Sequence, residues 1–287
     1  MSTNPADPLV ALGALPGVPD AVDSVRKAVD RVYGHRVMRR RSNEVTSEAA
    51  LRGARASAAL SGADWALEEV RRRTDFSGDA EARTVGAALR LGAETGQLLS
   101  IWRQSPMRVL ARLHLVATGD PGSPASAAAG GTAGVPADSV GRPRRDGEPV
   151  DEPGIEAPLP GAAEVAGRLD GLADLIVAGS SAPALVTAAV VHGELLALRP
   201  FTSYSGLVAR AAERIVLIGS GLDPKAICPA EVGHAEQGRA AYVAAFEGYL
   251  SGTPEGMAAW ISHCGRAVEL GVRESTAVCE ALQRGAA

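Results

Sequence analysis

The sequence predicts an all-α protein, and three observations support this fold class. Of the 287 residues, 46% are apolar but only 3% are aromatic, so the core must consist mainly of Ala, Leu and Val. Ala-rich segments favour helices, and few stretches show the β-branched alternation typical of strands. Apolar residues instead recur every three or four positions, which is the spacing of one helix face. The chain is long enough for one large domain or two small ones.

The N-terminal third is predicted to contain a tail and several helices. Residues 1–20 are rich in Pro, Gly, Ala and Asp, which predicts a flexible or loosely docked tail. A helix from Asp23 to Arg41 then ends in a basic cluster of Arg36, Arg39, Arg40 and Arg41. Because basic residues complement the dipole at a helix C-terminus, we favour a solvated helix end over a contact with nucleic acid or an acidic partner.

Helices continue up to about residue 118 and are followed by a segment without pattern. Ser47–Arg73 is predicted as a helix or helix pair broken near Gly62, then a helix capped by Ser77 runs toward Trp102, and Pro106 opens a shorter one. Thr118–Val150 has too few large apolar residues to order itself. We therefore predict a long loop at about 118–150, although loops of that length are unusual inside one compact domain.

The C-terminal half is predicted to be helical almost throughout. The helices are expected at 162–177, 182–197, 205–218, 234–250, 254–271 and 273–284. Ser181 is the predicted N-cap of the second, with Pro183 in its first turn. The predicted organisation is thus a tail at 1–20, one helical domain at 21–272 and a C-terminal helix at 273–287.

Composition argues against several classes of function. The net charge of −4 gives no reason to expect DNA binding. No apolar run is long enough for a membrane span, and the first ten residues lack a signal-peptide pattern, so a cytoplasmic protein is expected. The three cysteines, Cys228, Cys264 and Cys279, lack metal-binding spacing, and His263 and Cys264 point about 100° apart on a helix. Free thiols and no metal site are predicted.

The segment Leu198–Arg210, which reads LRPFTSYSGLVAR, lies between two of the Ala-rich predicted helices. It places the backbone N–H groups near Ser205 and Gly206 at a helix N-terminus. Such groups lack an intrahelical partner and sit at the positive end of the helix dipole, so they suit an anion such as phosphate.

This segment resembles the signature HPFxDGNGRxxR of the Fic (Fido) family, which lies between two helices of an all-α core. The matching residues are Pro200, Phe201, Gly206 and Arg210. The departures are Arg199 for His, Ser203 for the acidic residue, Tyr204 for the first Gly, Ser205 for Asn and Leu207 for the first Arg. The resemblance is thus to a degenerate form of the motif.

Other segments resemble family landmarks in the family's order, over roughly residues 45 to 265. Ser57–Gly62 (SAALSG) is similar to the inhibitory motif SxxxEG, with Ser61 in place of Glu and Ser57 and Gly62 retained. Leu113-His114 resembles the Leu-His pair of the helix before the flap, and Gly141–Arg144 resembles the turn that leads into the flap. Asp223-Pro224 resembles the end of the Gly-x-x-Pro segment that follows the motif helix in the family. The resemblance implies a helical bundle with a short β-hairpin flap.

The resemblance implies transfer of AMP from ATP to a protein hydroxyl, in which the motif His acts as base and the acidic residue holds Mg²⁺. A guanidinium cannot accept a proton near neutral pH, so Arg199 is no substitute base. Ser203 is a much weaker Mg²⁺ ligand than a carboxylate, and Leu207 removes a phosphate clamp. We therefore assign no catalytic residue and no required cofactor. We expect little adenylyltransferase activity even in the presence of ATP and Mg²⁺.

The candidate anion or nucleotide ligands are Arg199, Ser203, Ser205, Gly206 and Arg210. Structural alternatives remain open for them and for two neighbours. Arg199 could be a solvated surface residue, Arg210 could pair with Glu213 or Glu194, Phe201 could fill the core, and His192 could simply be packed. Because Ser61 replaces the inhibitory Glu and Leu207 an Arg, inhibitor and target are both expected to be missing.

Three hypotheses follow. The first is a Fic-like pseudoenzyme that retains at most an anion or nucleotide pocket and acts by binding a protein. The second is an enzyme that transfers AMP or phosphate with altered motif chemistry. The third is a helical interaction module without a ligand. The first hypothesis requires a protein partner. We expect no binding to DNA or membranes. The resemblance also makes a homodimer possible.

Overall fold

The computed structural model describes residues 7–119, 135–152 and 155–285, and these confirm the all-α class. The N-terminal half contains helices α1 (Pro8–Gly13), α2 (Val18–Tyr33), α3 (Ser42–Leu60), α4 (Leu67–Arg72), α5 (Ala80–Trp102) and α6 (Pro106–Thr118). The C-terminal half contains α7 (Ala162–Ala178), α8 (Ala184–Leu198), α9 (Ser205–Gly219), α10 (Ala230–Glu236), α11 (Arg239–Ser251) and α12 (Pro254–Gln283). In the described ranges the one β-type pairing is a parallel bridge between Asp151 and Ser203, so the hairpin flap stays a prediction.

The hairpin of α8 and α9 forms the centre of the bundle. Helix α8 is apolar on every side, and Leu185, Val191 and Leu195 are all buried. A helix of this kind is stable only when other elements surround it. Helix α9 packs against α8, α5 and α6, while α12 packs against α2, α10 and α11. The loop between α8 and α9 is therefore fixed from both ends by the core.

The N-terminal segment differs from the predicted tail. Residues 8–13 and 18–33 are helical, and Leu9 and Val18 are buried in the core. The Asp7 carboxylate caps α1 by accepting a hydrogen bond from the Leu9 N–H, and it also accepts from Ser180 and Ser181. A single buried apolar residue, such as Leu9 in α1, is too little to produce visible periodicity, yet it is enough to dock a short helix.

Some helix boundaries also differ from the prediction. Helix α2 ends at Tyr33, and a 3-10 turn at Arg36–Arg39 carries part of the basic cluster. Asp79 rather than Ser77 caps α5, through a hydrogen bond from the Ala82 N–H, and α8 begins only after Pro183. A competing Asp two residues on explains the first of these changes, because Asp is as good an N-cap as Ser.

The C-terminus is one helix rather than two. Helix α12 runs for 30 residues through Gly271, where the sequence predicts a break. A Cβ at Gly271 would lie 2.5 Å from the backbone oxygen of Pro229, so this glycine permits close contact with the start of α10. A glycine that serves packing is indistinguishable in sequence from one that ends a helix.

The predicted loop at 118–150 lies partly outside the described residues, since 120–134 are not among them. Its described part contains a 3-10 turn at Ala137–Ser139 and then runs to the bridge at Asp151. Of the helices the structure describes, none is both long enough and apolar enough to cross a membrane.

Candidate functional site

The motif loop comprises residues 199–206 and connects α8 to α9. Two of its residues adopt left-handed backbone conformations, Arg199 with φ 42° and Tyr204 with φ 58°. Tyr204 stands where the family signature has its first Gly, the residue for which such a conformation costs least. The loop thus keeps a glycine-like backbone at Tyr204 although the glycine itself is absent.

Arg199 is buried and binds the protein's own backbone. Its side chain is only 4% exposed, which excludes the solvated surface alternative. The guanidinium donates to the carbonyl oxygens of Ile155, Ala157 and Pro158 at 3.3, 2.8 and 2.6 Å. Three carbonyls therefore occupy both terminal nitrogens, Nε has no hydrogen-bond partner among the described residues, and Arg199 holds the segment 155–158 against the motif loop.

The N-terminus of α9 binds an anion, but the anion belongs to the chain. The Gly206 N–H donates to Oε2 of Glu152 at 2.8 Å. A Cβ at Gly206 would lie 2.3 Å from Oε1 of Glu152, so only glycine allows the carboxylate this close. Burial raises the pKa of Glu152, whereas the Gly206 amide and the Arg210 charge oppose that rise. The predicted phosphate position is therefore filled by Glu152, a residue that sequence analysis did not select.

The two serines of the loop have structural surroundings. The Ser205 hydroxyl accepts from the Phe201 N–H at 3.1 Å and donates to the Phe201 oxygen at 3.2 Å, which closes the turn on itself. Ser203 forms the backbone bridge to Asp151, and its buried hydroxyl oxygen has no hydrogen-bond partner among the described residues. Neither serine presents its hydroxyl toward the Glu152 carboxylate through a hydrogen bond in the described structure.

A second chain segment lies along the motif loop. The Arg144 N–H donates to the Pro200 oxygen at 2.7 Å, and the Asp151 N–H donates to the Thr202 oxygen at 2.8 Å. The Arg144 side chain donates to the oxygens of Arg199 and Leu198. The segment 144–152 thus covers the loop at the position where the resemblance implies a flap.

Arg210 contacts the predicted inhibitory-motif residues. It is 2% exposed and donates to Oγ of Ser57 at 2.8 Å, the Ser57 oxygen at 3.0 Å and Oγ of Ser61 at 2.7 Å. The predicted ion pair with Glu213 or Glu194 is not formed. Leu207 instead packs in the core, and Gly62 forms the turn after α3 with φ 94°.

This contact corrects the expectation that inhibitor and target are both missing. The residue that meets position 61 is Arg210, the last residue of the motif, and not Leu207. Because a serine hydroxyl is short and neutral, it makes a hydrogen bond to the guanidinium where a glutamate would make an ion pair. The spatial arrangement is present, and the charge is not.

His114 on α6 supports the motif loop by packing against Phe201. Its ring stacks on Phe201 with 4.2 Å between centroids and 10° between planes. Its Nδ1 accepts from the Gly141 N–H at 2.9 Å, which joins the Leu-His landmark to the Gly-Arg turn. Burial lowers the pKa of His114 to about 4, so the ring is neutral. Phe201 is buried in this stack, as the structural alternative for that residue predicts.

A separate cluster of ionisable side chains lies in the bundle interior, with one member on each of α8, α9, α10 and α12. The four residues are His192, Glu213, His234 and Cys264, and at most 1% of each side chain is exposed. Oε2 of Glu213 lies 2.9 Å from Nδ1 of His192 and 3.2 Å from Nε2 of His234. We call these four residues the buried cluster.

The other ring nitrogens of the two histidines also have partners. Nε2 of His192 lies 2.7 Å from the Tyr242 hydroxyl, and Nδ1 of His234 lies 3.2 Å from Nε2 of His263. Burial raises the pKa of Glu213, but the two imidazoles outweigh it and hold that pKa below its usual range. Burial lowers the pKa of His192. The arrangement is an ionised carboxylate between two imidazoles.

Sequence analysis missed this cluster. It considered His192, Glu213 and Cys264 separately and did not place them together. One signal was available, because His192 lies seven residues before the motif loop and Glu213 seven after it. Residues equally far from a helical hairpin turn face each other at the same level. His234 and Cys264 had no such signal, since their positions depend on how α10 and α12 pack against the hairpin.

The fold was compared with known proteins. No family model matches the sequence, and a search of curated proteins finds no match. A Fic family protein from Desulfovibrio desulfuricans G20 superposes with a TM-score of 0.65 at 18% identity, covering 90% of this chain and 74% of that one. Fic-1 from C. elegans superposes with a TM-score of 0.60 at 15% identity, covering 90% and 71%.

These similarities show that the chain has the Fic (Fido) fold. At identities of 18% and 15% they show the fold alone. In this chain, the two helices that flank the motif loop form the central hairpin of the bundle. What the motif residues do has to be argued from their own contacts.

Proposed function

We propose that this protein is a Fic-fold pseudoenzyme of the cytoplasm that acts by binding another protein rather than by transferring AMP. The observation that carries the proposal is the carboxylate of Glu152 on the Gly206 N–H. A nucleotide phosphate that used the α9 N-terminus would have to displace the half-buried Glu152 carboxylate, which has the same sign of charge. The Gly206 N–H now offsets the cost of desolvating the Glu152 carboxylate. A phosphate that took this position would remove that offset.

The chemistry of the motif supports the same conclusion. A general base must accept the proton of the incoming hydroxyl, and Arg199 has no lone pair to offer, while both of its terminal nitrogens already donate to backbone carbonyls. Loss of a general base typically reduces a rate by about 10²- to 10⁴-fold. Because Ser203 also lacks a carboxylate for Mg²⁺, the two losses act on the same step.

One observation favours the alternative, an enzyme that transfers AMP or phosphate with altered motif chemistry. The α9 N-terminus still attracts a carboxylate, and the Arg210 charge acts on that same carboxylate. If Glu152 moved away, these two groups would form an anion site. In this alternative Glu152 is a removable block, and a labelled phosphate or adenylate would be transferred.

Thermal shift with ATP and pyrophosphate, with and without Mg²⁺, tests the proposal. We expect no shift for the wild type at millimolar ligand and a positive shift for Glu152→Ala, because bound ligand stabilises the folded state. Glu156→Ala, which removes an exposed carboxylate four residues away, is the matched control and should behave as the wild type.

Incubation with labelled ATP and Mg²⁺ completes the test. Label attached to protein by the wild type would contradict the pseudoenzyme proposal and favour the alternative. A Glu152→Ala protein that also ignores both ligands would show that no anion pocket remains beneath the carboxylate. That result would favour a helical interaction module.

A further inference from the structure

We propose that His192, Glu213, His234 and Cys264 form a binding site for one divalent transition-metal ion, zinc fitting best, at the junction of α8, α9, α10 and α12. The proposal is independent of the proposed function, since none of the four residues belongs to the motif loop. It departs from the sequence prediction of no metal site, because the four ligands are spread over four helices and only their packing unites them.

The donor atoms have the chemistry and spacing of such a site. One ligand atom from each residue lies within 4.8 Å of every other. Zinc bonds to His nitrogen, carboxylate oxygen and Cys sulfur measure about 2.0–2.3 Å, which puts tetrahedral donors about 3.3–3.7 Å apart. The separations of 2.9 and 3.2 Å at Glu213 lie just below this range. Side-chain shifts of about an ångström would complete the tetrahedron.

Two buried polar atoms in the cluster point to a missing partner. His192 Nδ1 lies 2.9 Å from Oε2 of Glu213 without hydrogen-bond alignment, and Oε1 of Glu213 has no hydrogen-bond partner among the described residues. Buried polar atoms in native proteins are nearly always satisfied. A cation between His192 and Glu213 would bond to the nitrogen and to a carboxylate oxygen.

Charge balance favours a divalent ion. Glu213 as carboxylate and Cys264 as thiolate carry two negative charges, so a doubly charged cation makes the site neutral. A neutral site avoids the large cost of isolated charges in the interior. Four protein ligands leave no open coordination position, which is typical of a structural rather than a catalytic zinc site.

The surrounding residues match the support that metal-bound histidines need. A histidine that binds metal through one nitrogen generally donates its other N–H to a neighbour, which fixes the ring. Tyr242 lies at hydrogen-bonding distance from Nε2 of His192, and His263 from Nδ1 of His234. His263 therefore supports the ligand His234 and does not take the coordination position of Cys264.

The proton balance of binding is simple. Each imidazole binds through the lone pair of one nitrogen and keeps its proton on the other, facing Tyr242 or His263. The Cys264 thiol loses its proton to solvent when the sulfur–metal bond forms. One proton is released per ion, so apparent affinity should rise with pH.

Metal analysis of the wild-type protein, purified without chelators, tests the proposal directly. We expect about one equivalent of metal per chain, mainly zinc. After removal of metal with a chelator, titration with Co²⁺ should give a thiolate-to-cobalt charge-transfer band that saturates at one equivalent. A wild-type protein that carries no metal and takes up neither Zn²⁺ nor Co²⁺ stoichiometrically would overturn the proposal.

Matched cysteine variants assign the ligand. Cys264→Ala should lose the charge-transfer band, whereas Cys279→Ala, which removes another buried thiol, should keep it. A band that survives in Cys264→Ala would also overturn the assignment. If Cys264→Ala does not fold, the wild type remains informative, because the chelator should lower its Tm and added Zn²⁺ should restore it.

Discussion

The motif loop joins α8 and α9, which carry two members of the buried cluster, His192 and Glu213, about two helical turns from the loop, and the loop and the cluster use polar residues differently. In the loop, the bound polar groups meet the chain's own backbone or hydroxyls, as with Arg199 on three carbonyls, while Nε of Arg199 and Oγ of Ser203 have no partner among the described residues. In the cluster, ionisable side chains face one another, with the Glu213 carboxylate between two imidazoles.

This difference shows that resemblance to a signature and chemical readiness are separate properties. The loop carries the recognisable sequence, yet its contacts are those of a structural turn closed by Glu152 and Arg199. The cluster has no recognisable sequence, yet it collects four metal-type ligands in the buried interior. Substitutions in the cluster and around the loop should therefore differ in how much they lower the free energy of unfolding.

Glu213→Ala should have the largest effect. Removing the carboxylate leaves two buried imidazoles without their shared partner, and breaking a buried pair in this way costs about 3–5 kcal/mol of unfolding free energy. Urea denaturation measures it. Glu44→Ala, which breaks an exposed pair with Arg41, is the control and should cost under about 1 kcal/mol. An equal loss for both variants would refute the distinction.

The pH dependence of stability should reveal His114 beneath the motif loop. Burial lowers the pKa of His114 to about 4 from its ordinary value of 6.5, so between these values the unfolded chain binds a proton that the folded chain does not. Stability is therefore lost as pH falls from about 6.5 to about 4, by up to about 3 kcal/mol.

His114→Gln should remove this contribution while keeping an acceptor for the Gly141 N–H. Urea denaturation of both proteins at several pH values measures the difference between them. The variant's deficit should shrink as the solution is acidified. A deficit that stays constant from pH 7 to pH 4.5 would show that His114 does not titrate in this way.

Gly233→Ala should disturb the cluster through the backbone. A Cβ at Gly233 would lie 2.0 Å from the backbone oxygen of Ala267, so α10 would have to move away from α12 and take His234 with it. We expect a loss of about 1–3 kcal/mol in thermal or urea unfolding. Gly171→Ala, where no atom lies within 4 Å, should instead gain about 0.5–1 kcal/mol from helix propensity.

Ser61→Ala should have the smallest effect. It removes one of three hydrogen bonds to Arg210 at a partly exposed position, where water can replace it, so we expect a loss of about 1 kcal/mol. The exposed Ser100→Ala on α5 is the control and should not destabilise. A loss as large as that of Glu213→Ala would mean that the Arg210 contact stabilises the fold as strongly as the cluster carboxylate does.

Much of the architecture was predictable because helix formation is local. The periodicity of α7 and α9, the Ala-rich apolar run of α8 and the Pro-Phe turn between α8 and α9 were visible in the residues themselves. Errors arose where packing overrode local signals, as at Gly271, or where a few buried residues docked a short helix, as at Leu9. Local propensity contains no information about which surface a residue will meet.

The fold class, the motif hairpin and the loss of a proton-accepting side chain at Arg199 follow from the sequence, because each depends on residues close together in the chain. That Glu152 fills the anion position, that Arg210 meets Ser61, and that His234 and Cys264 join His192 and Glu213 depends on the packing of the helices. These contacts join residues 21 to 149 positions apart, and only burial of the shared apolar core brings them together.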